Sequence, residues 1–177
     1  MRYTVSMVAG SMKTLVLIRH AKSSWKHPEL TDFDRPLNKR GKRDAPDMGR
    51  RLLKRGLVPD LVLTSPAKRA LKTATIIANI LGYPLSELVQ DATIYHGDAD
   101  TLLHRIGNTP DGCNRVFLFG HNPTISELAN DLCAGPVGHM PTGAVVQLDF
   151  SVNSWQQATP GRGRLVFFDY PKKDQQL

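Results

Sequence analysis

Residues 15–20 read Leu15-Val16-Leu17-Ile18-Arg19-His20, four apolar positions in a row that end on two basic ones. A strand with one face in water alternates apolar and polar side chains, whereas an unbroken apolar run belongs to a strand covered on both faces. Leu61-Val62-Leu63 and Val116-Phe117-Leu118-Phe119 have the same form, and each of the three runs is followed by a polar turn and then by helical spacing. The repetition predicts an α/β fold, a three-layer sandwich.

The helices are read from their start and stop signals. After Leu63, Ser65-Pro66 reads as an N-cap followed by proline at the first helical position. Ala67, Ala70, Leu71, Ala74, Ile77, Ala78 and Leu81 then keep helical spacing up to Gly82 and Pro84. Asn122-Pro123 gives a similar start, with Ile125, Leu128, Ala129 and Leu132 along one face. A third helix is predicted from Ala45 to Arg55 with Pro46 near its start, and a shorter one from Asp98 to Ile106, closed by Gly107. Two strand-like runs, Ala144 to Phe150 and Arg164 to Phe168, end the chain as an expected hairpin. Residues 1–12 lack strong periodicity, with Met12 as an alternative first residue. They are expected to form a poorly ordered extension ahead of a single domain over 13–177.

At 177 residues and 41% apolar content, the chain can bury one good core. No apolar run approaches the roughly 20 residues that span a bilayer, and the N-terminal segment lacks the apolar stretch of a signal peptide. A cytoplasmic location and no membrane partner are therefore expected. Cys113 and Cys133 stand in no CxxC spacing, which argues against a zinc site and leaves open whether they pair. The formal charge of +7 suggests an anionic partner. Basic residues are densest from Lys39 to Arg55, but no aromatic stacking residues are interleaved with them. The run reads as the solvated face of an amphipathic helix, and no nucleic-acid partner is expected.

In open α/β sheets, ligands bind beyond the carboxyl ends of the strands. Arg19 and His20 stand there after the first run, Ser65 and Arg69 after the second, and His121 after the third. Neighbouring strands would bring two histidines and two arginines onto one phosphoryl-sized pocket. Guanidinium charges disfavour protonation of His20, keep its lone pair available and neutralise the oxygens of a transferring phosphoryl group. His121 would donate to the equatorial oxygens. A lone histidine after a strand is more often a surface or satisfied core residue, and Arg69 by itself reads as helix surface. The coincidence of four such residues at three strand ends favours the site. None of them suggests a metal cage, and no cofactor is expected. Lys22, Ser24, His96 and Asn122 are the candidate substrate-binding residues.

These residues also carry a resemblance. Leu17-Ile18-Arg19-His20-Ala21 resembles the Arg-His-Gly signature of the histidine phosphatase superfamily, with alanine in place of glycine. Ser65-Pro66-Ala67-Lys68-Arg69-Ala70, with Thr73-Ala74 beyond it, is similar to the superfamily's second phosphate-binding motif, and Gly120-His121-Asn122 to its second-histidine motif. The resemblance implies a phosphoglycerate-mutase-like α/β sandwich with a mostly parallel central sheet, a phosphoryl group carried on His20, and Arg19, Arg69 and His121 around it. Asp34-Arg35-Pro36-Leu37-Asn38, followed by Arg40-Gly41, resembles the small phosphohistidine phosphatases of the SixA type, as does the compact length without a large inserted cap. The likeness spans residues 13–135.

Mutases and many small-molecule phosphatases of the superfamily place a glutamate, their general acid, between the second arginine motif and the second histidine. Here Ile94-Tyr95-His96-Gly97-Asp98 offers none, so mutase activity is not expected. Three functions are carried forward: a phosphatase acting on protein phosphohistidine, a phosphomonoesterase for a small phosphorylated metabolite, and a non-catalytic basic binding domain. The third is disfavoured, because a binding surface gives no reason for this constellation at strand ends.

Overall fold

The structure, a computed structural model, describes residues 11–173. Along the chain it runs β1 (Met12–Arg19), α1 (Lys39–Lys54), β2 (Leu61–Thr64), α2 (Lys68–Ile80), β3 (Val89–Gln90), α3 (Thr93–His96), α4 (Ala99–Gly107), β4 (Arg115–Gly120), α5 (Thr124–Leu132), β5 (Val145–Ser151) and β6 (Arg164–Asp169). One six-stranded sheet has the order β3-β2-β4-β1-β5-β6. The strands β3, β2, β4 and β1 are parallel, and β5 and β6 close the edge as an antiparallel pair.

The unbroken apolar runs have the burial they call for. Leu15, Val16, Leu17 and Ile18 are each 0% exposed because helices cover both faces of β1. Leu15 and Leu17 point into a core filled from α4 and α5 by Leu102, Ile106, Ile125 and Leu128. Val16 and Ile18 point the other way, against Met48 and Leu52 of α1 and Ala74 and Ile77 of α2. This is the expected three-layer α/β sandwich.

Three helix starts differ from the sequence reading, the one at Asn122-Pro123 in that α5 begins at Thr124 with no side-chain cap. The first helix begins at Lys39 rather than Ala45, because the Asn38 side chain caps it by accepting from the Gly41 N–H at 2.9 Å. Pro46 therefore lies inside α1, where it removes one backbone donor. The second helix begins at Lys68, and Ser65 accepts from the Ala67 N–H at 3.2 Å instead of capping the first helical turn. The shorter helix predicted from Asp98 is α4, which Asp98 caps by accepting from the Thr101 N–H. The basic run on α1 does face outward, while Ala45, Met48, Gly49 and Leu52 are buried. The proposed extension lies outside the described residues up to residue 10, and Met12 already pairs with Ser151 in the sheet. Among the described residues no helix is long and apolar enough to cross a membrane, and Cys113 and Cys133 are both free thiols.

Candidate active site

The sheet order places the site. In register, β1 ends with Arg19 beside Gly120 of β4, and β2 ends with Thr64 beside Phe119. The ladder runs one step further: the His20 N–H donates to the Gly120 carbonyl at 3.1 Å and the Ser65 N–H to the Phe119 carbonyl at 3.0 Å. His20, Ser65 and His121 are thus fixed side by side by backbone pairing. The four residues proposed as catalytic come together here. The His20 and His121 ring centroids are 5.1 Å apart, and Arg69 Nε donates to His20 Nε2 at 3.3 Å.

His20 is held in one useful state. Its Nδ1 lies 2.8 Å from the Ala21 carbonyl, which can only accept, so the ring proton sits on Nδ1 and the lone pair on Nε2. The Ala21 N–H is in turn held by Thr73 Oγ1 at 3.1 Å, and that hydroxyl donates to the Arg69 carbonyl at 2.7 Å. One threonine of α2 therefore ties the strand end that carries His20 to the backbone of Arg69. Burial lowers the His20 pKa from 6.5 to about 3; the bond to Ala21 opposes this, and positive charge at His121, Arg69 and Arg19 adds to it.

His121 Nε2 is 2.7 Å from Ser65 Oγ. Its Nδ1 is buried without a partner, as is Arg19 Nε. Burial, then the charge of Arg69, lowers the His121 pKa to about 4, against an opposing pull from Asp32. Arg19 is oriented by donating from Nη1 to the Met140 carbonyl at 2.8 Å.

The substrate-binding candidates fare unevenly. The Asn122 amide is committed to structure: it donates to the Met140 carbonyl at 3.0 Å and accepts from Ser126 Oγ at 2.7 Å. It braces the same carbonyl that orients Arg19. Lys22 serves the fold through its backbone carbonyl, which accepts from the Asn38 N–H at 3.0 Å, and Ser24 accepts from the Lys26 N–H at 3.2 Å. His96 is exposed, with its ring 4.6 Å from that of Tyr95.

Sequence reasoning missed Asp32. Its carboxylate accepts from Arg69 Nη2 at 2.8 Å, Arg35 Nη1 at 2.8 Å and the Tyr95 hydroxyl at 3.0 Å, while its side chain stays 51% exposed at the mouth of the site. Burial alone would raise the Asp32 carboxyl, but those bonds outweigh it and bring its pKa down to about 2. Arg35 is itself buried, donating to the Ser24 carbonyl at 3.1 Å with its guanidinium 3.3 Å from the Trp25 ring centroid. Among the described residues no group of three or more His, Cys, Asp or Glu side chains is arranged to hold a metal ion.

A buried imidazole bonded at Nε2 by Arg69, with a second imidazole beside it and Arg19 near enough to act on its charge, is an arrangement suited to a phosphoryl group. Residues 15–98 match the histidine phosphatase superfamily (branch 1), and the chain belongs to that superfamily. An uncharacterised chloroplastic protein of Arabidopsis thaliana is 31% identical over 165 residues, covering 88% of this chain and 75% of its own. A solved structure from Agrobacterium tumefaciens, described as a candidate phosphohistidine phosphatase SixA, is 29% identical with a TM-score of 0.74, covering 90% of this chain and 98% of its own. The protein histidine phosphatase SixA complexed with tungstate shares the fold at a TM-score of 0.77 and 21% identity, covering 89% of this chain and 97% of its own.

Proposed function

We propose that the protein is a phosphatase acting on protein phosphohistidine through a covalent intermediate on His20. The observation that carries this reading is the state of the carboxylates at the mouth. Asp32 is held ionised by Arg69, Arg35 and Tyr95, and Asp98 is used as the cap of α4. Neither is a proton donor for a departing alkoxide. A phosphohistidine ring leaves as imidazole and needs no acid at the moment of bond breaking, provided its other nitrogen already carries a proton.

In the first step His20 Nε2 forms a bond to phosphorus as the P–N bond of the substrate breaks, and the electron pair of that bond stays with the leaving ring. Arg19, Arg69 and His121 Nδ1 hold the phosphoryl oxygens, so no metal or cofactor is called for. In the second step water adds to phosphorus as the P–N bond to His20 breaks, Nε2 recovers its electron pair, and both water protons stay on the product, dihydrogen phosphate. The two free thiols suit a reducing cytoplasm.

A second reading, a small-metabolite phosphatase, is favoured by a cavity of about 410 Å³ lined by Arg40, His139, Thr142, Tyr170 and Lys172. It adjoins the site through His139, whose Nε2 is 3.5 Å from Arg19 Nη1. One panel decides between them: a phosphohistidine peptide, activated aryl phosphates and an alkyl phosphate such as a phosphoglycerate, offered to the parent, His20→Ala and His96→Ala. The phosphohistidine reading expects turnover of the peptide, far faster hydrolysis of aryl than alkyl esters, only a modest effect of His96→Ala, and no turnover by His20→Ala. An acid-labile, alkali-stable phosphoenzyme should form in the parent alone. Efficient alkyl phosphate hydrolysis that His96→Ala abolishes would establish the metabolite reading instead.

A further inference from the structure

Asp32 is joined to His20 through Arg69 and lies on the exposed side of that link. His20 is 7% exposed, so a substrate attacked by Nε2 must point its leaving group outward, toward the side on which the Asp32 side chain is half exposed. The Arg69 guanidinium bridges the two, with Nε on His20 and Nη2 on Asp32. A phosphoryl group that takes up Arg69 leaves the carboxylate still held from two other sides, by Arg35 Nη1 at 2.8 Å and the Tyr95 hydroxyl at 3.0 Å. A fixed negative charge beside a dianionic phosphoryl group is costly unless the leaving group brings a positive one. A phosphoimidazole protonated on its distal nitrogen does so, and that N–H is a donor suited to a carboxylate.

We propose that Asp32 is the specificity-determining residue of this site, selecting phosphohistidine by accepting a hydrogen bond from the distal ring N–H of the substrate imidazole. The role rests on the phosphohistidine reading above. No proton moves in the step: the P–N electron pair goes to the nitrogen that loses phosphorus, the distal nitrogen keeps its proton, and a neutral imidazole departs. The charged and titratable groups facing Asp32 are Arg69 from α2, Arg35 from its own loop, Tyr95 from α3 and, further in, His121 after β4. The carboxylate holds the bound substrate ring protonated to higher pH than it would be in water, and an oxygen ester gains nothing from it.

The test measures kcat and kcat/KM for a phosphohistidine peptide, nitrophenyl phosphate and phenyl phosphate in the parent, Asp32→Asn and Asp32→Glu, with thermal melting as a check on folding. For Asp32→Asn, the ratio of kcat/KM for the peptide to that for nitrophenyl phosphate should fall at least about tenfold, the loss expected for one charge-assisted hydrogen bond. The alkaline limb of kcat for the peptide should also move to lower pH, and Asp32→Glu should restore part of both. Equal losses on peptide and nitrophenyl phosphate would show that Asp32 merely positions Arg69 and would overturn the proposal. A larger loss on phenyl than on nitrophenyl phosphate would make Asp32 a general acid and overturn it too. A parent that hydrolyses nitrophenyl phosphate but not the peptide refutes the function itself, and that outcome is visible before any variant is made.

Discussion

Replacing His20 with asparagine should make the fold less sensitive to acid. In the native state burial, reinforced by nearby positive charge, lowers the His20 pKa from 6.5 to about 3. Between those values the unfolded chain binds a proton that the native ring refuses. Stability is therefore complete above about pH 6.5 and is lost as pH falls toward 3, where the native ring would also protonate. At about pH 5 the unfolded ring is protonated to an extent worth about 1.5 units at about 1.4 kcal/mol per unit, or about 2 kcal/mol of lost stability from His20 alone. His121, with its pKa lowered to about 4, adds a similar dependence, but it is present in both proteins and cancels in the difference. Both rings are neutral in the native state at that pH, so the charge of one does not yet act on the other. Asp32, at about 2, is ionised throughout.

The assay is urea unfolding of the parent and of His20→Asn at about pH 7.5 and about pH 5, followed by the fluorescence of the buried Trp155. The parent should lose about 2 kcal/mol more than the variant over that interval. An equal loss in the two proteins would refute the placement of His20 as a buried neutral ring, and with it the argument that its lone pair is available to phosphorus. The corollary in turnover is that the acid limb of kcat/KM should lie below the ordinary histidine range rather than near 6.5.

Vanadate should inhibit by adopting five-coordinate geometry against His20, Arg19 and Arg69, and EDTA should leave turnover unchanged; activity lost to EDTA and restored by zinc or manganese would oppose the arginine-based mechanism. Gly41→Ala should destabilise the protein by about 1–3 kcal/mol in urea unfolding. The added Cβ would fall 2.2 Å from the Lys22 carbonyl oxygen, and the contact is backbone on both sides, with the loop after His20 on one of them. The same change should lower kcat, because α1 and the Lys22 backbone cannot separate without disturbing the Ala21 carbonyl that holds the His20 ring.

The sheet and the four central residues were legible because each signal was local. Four consecutive apolar residues demand cover on both faces, and the residue after such a run lies at a strand end in any parallel sheet. The misread helix starts were decided elsewhere in the chain. Asn38 caps α1 partly because its N–H is held by the Lys22 carbonyl, and Gly41 can approach that carbonyl only because it has no Cβ. The Ser65 hydroxyl did not enter the cap read for it, because His121, brought in by β4, takes it at 2.7 Å. Asp32 left no trace of any kind. Arg69 lies 37 residues away and Tyr95 63, and the carboxylate sits in a loop with no periodicity to break.

The groups that were legible and the one that was not belong to a single charge balance. Arg69 serves His20 and Asp32 at once, donating to the His20 lone pair and to both the backbone carbonyl and the carboxylate of Asp32. The positive charge that adds to burial in keeping His20 neutral would, if uncompensated, also favour any anion regardless of what it was attached to. Asp32 sets a carboxylate against that charge, on the outward side where the leaving group exits. An alkyl ester presents no positive charge there, whereas a protonated ring does. A substitution at Arg69 would weaken binding of every phosphorylated ligand, while one at Asp32 would change which of them the site prefers. Affinity for phosphate and choice of leaving group are thus carried by different side chains of one ion pair, and a double substitution at Arg69 and Asp32 should show strong non-additivity on the phosphohistidine peptide.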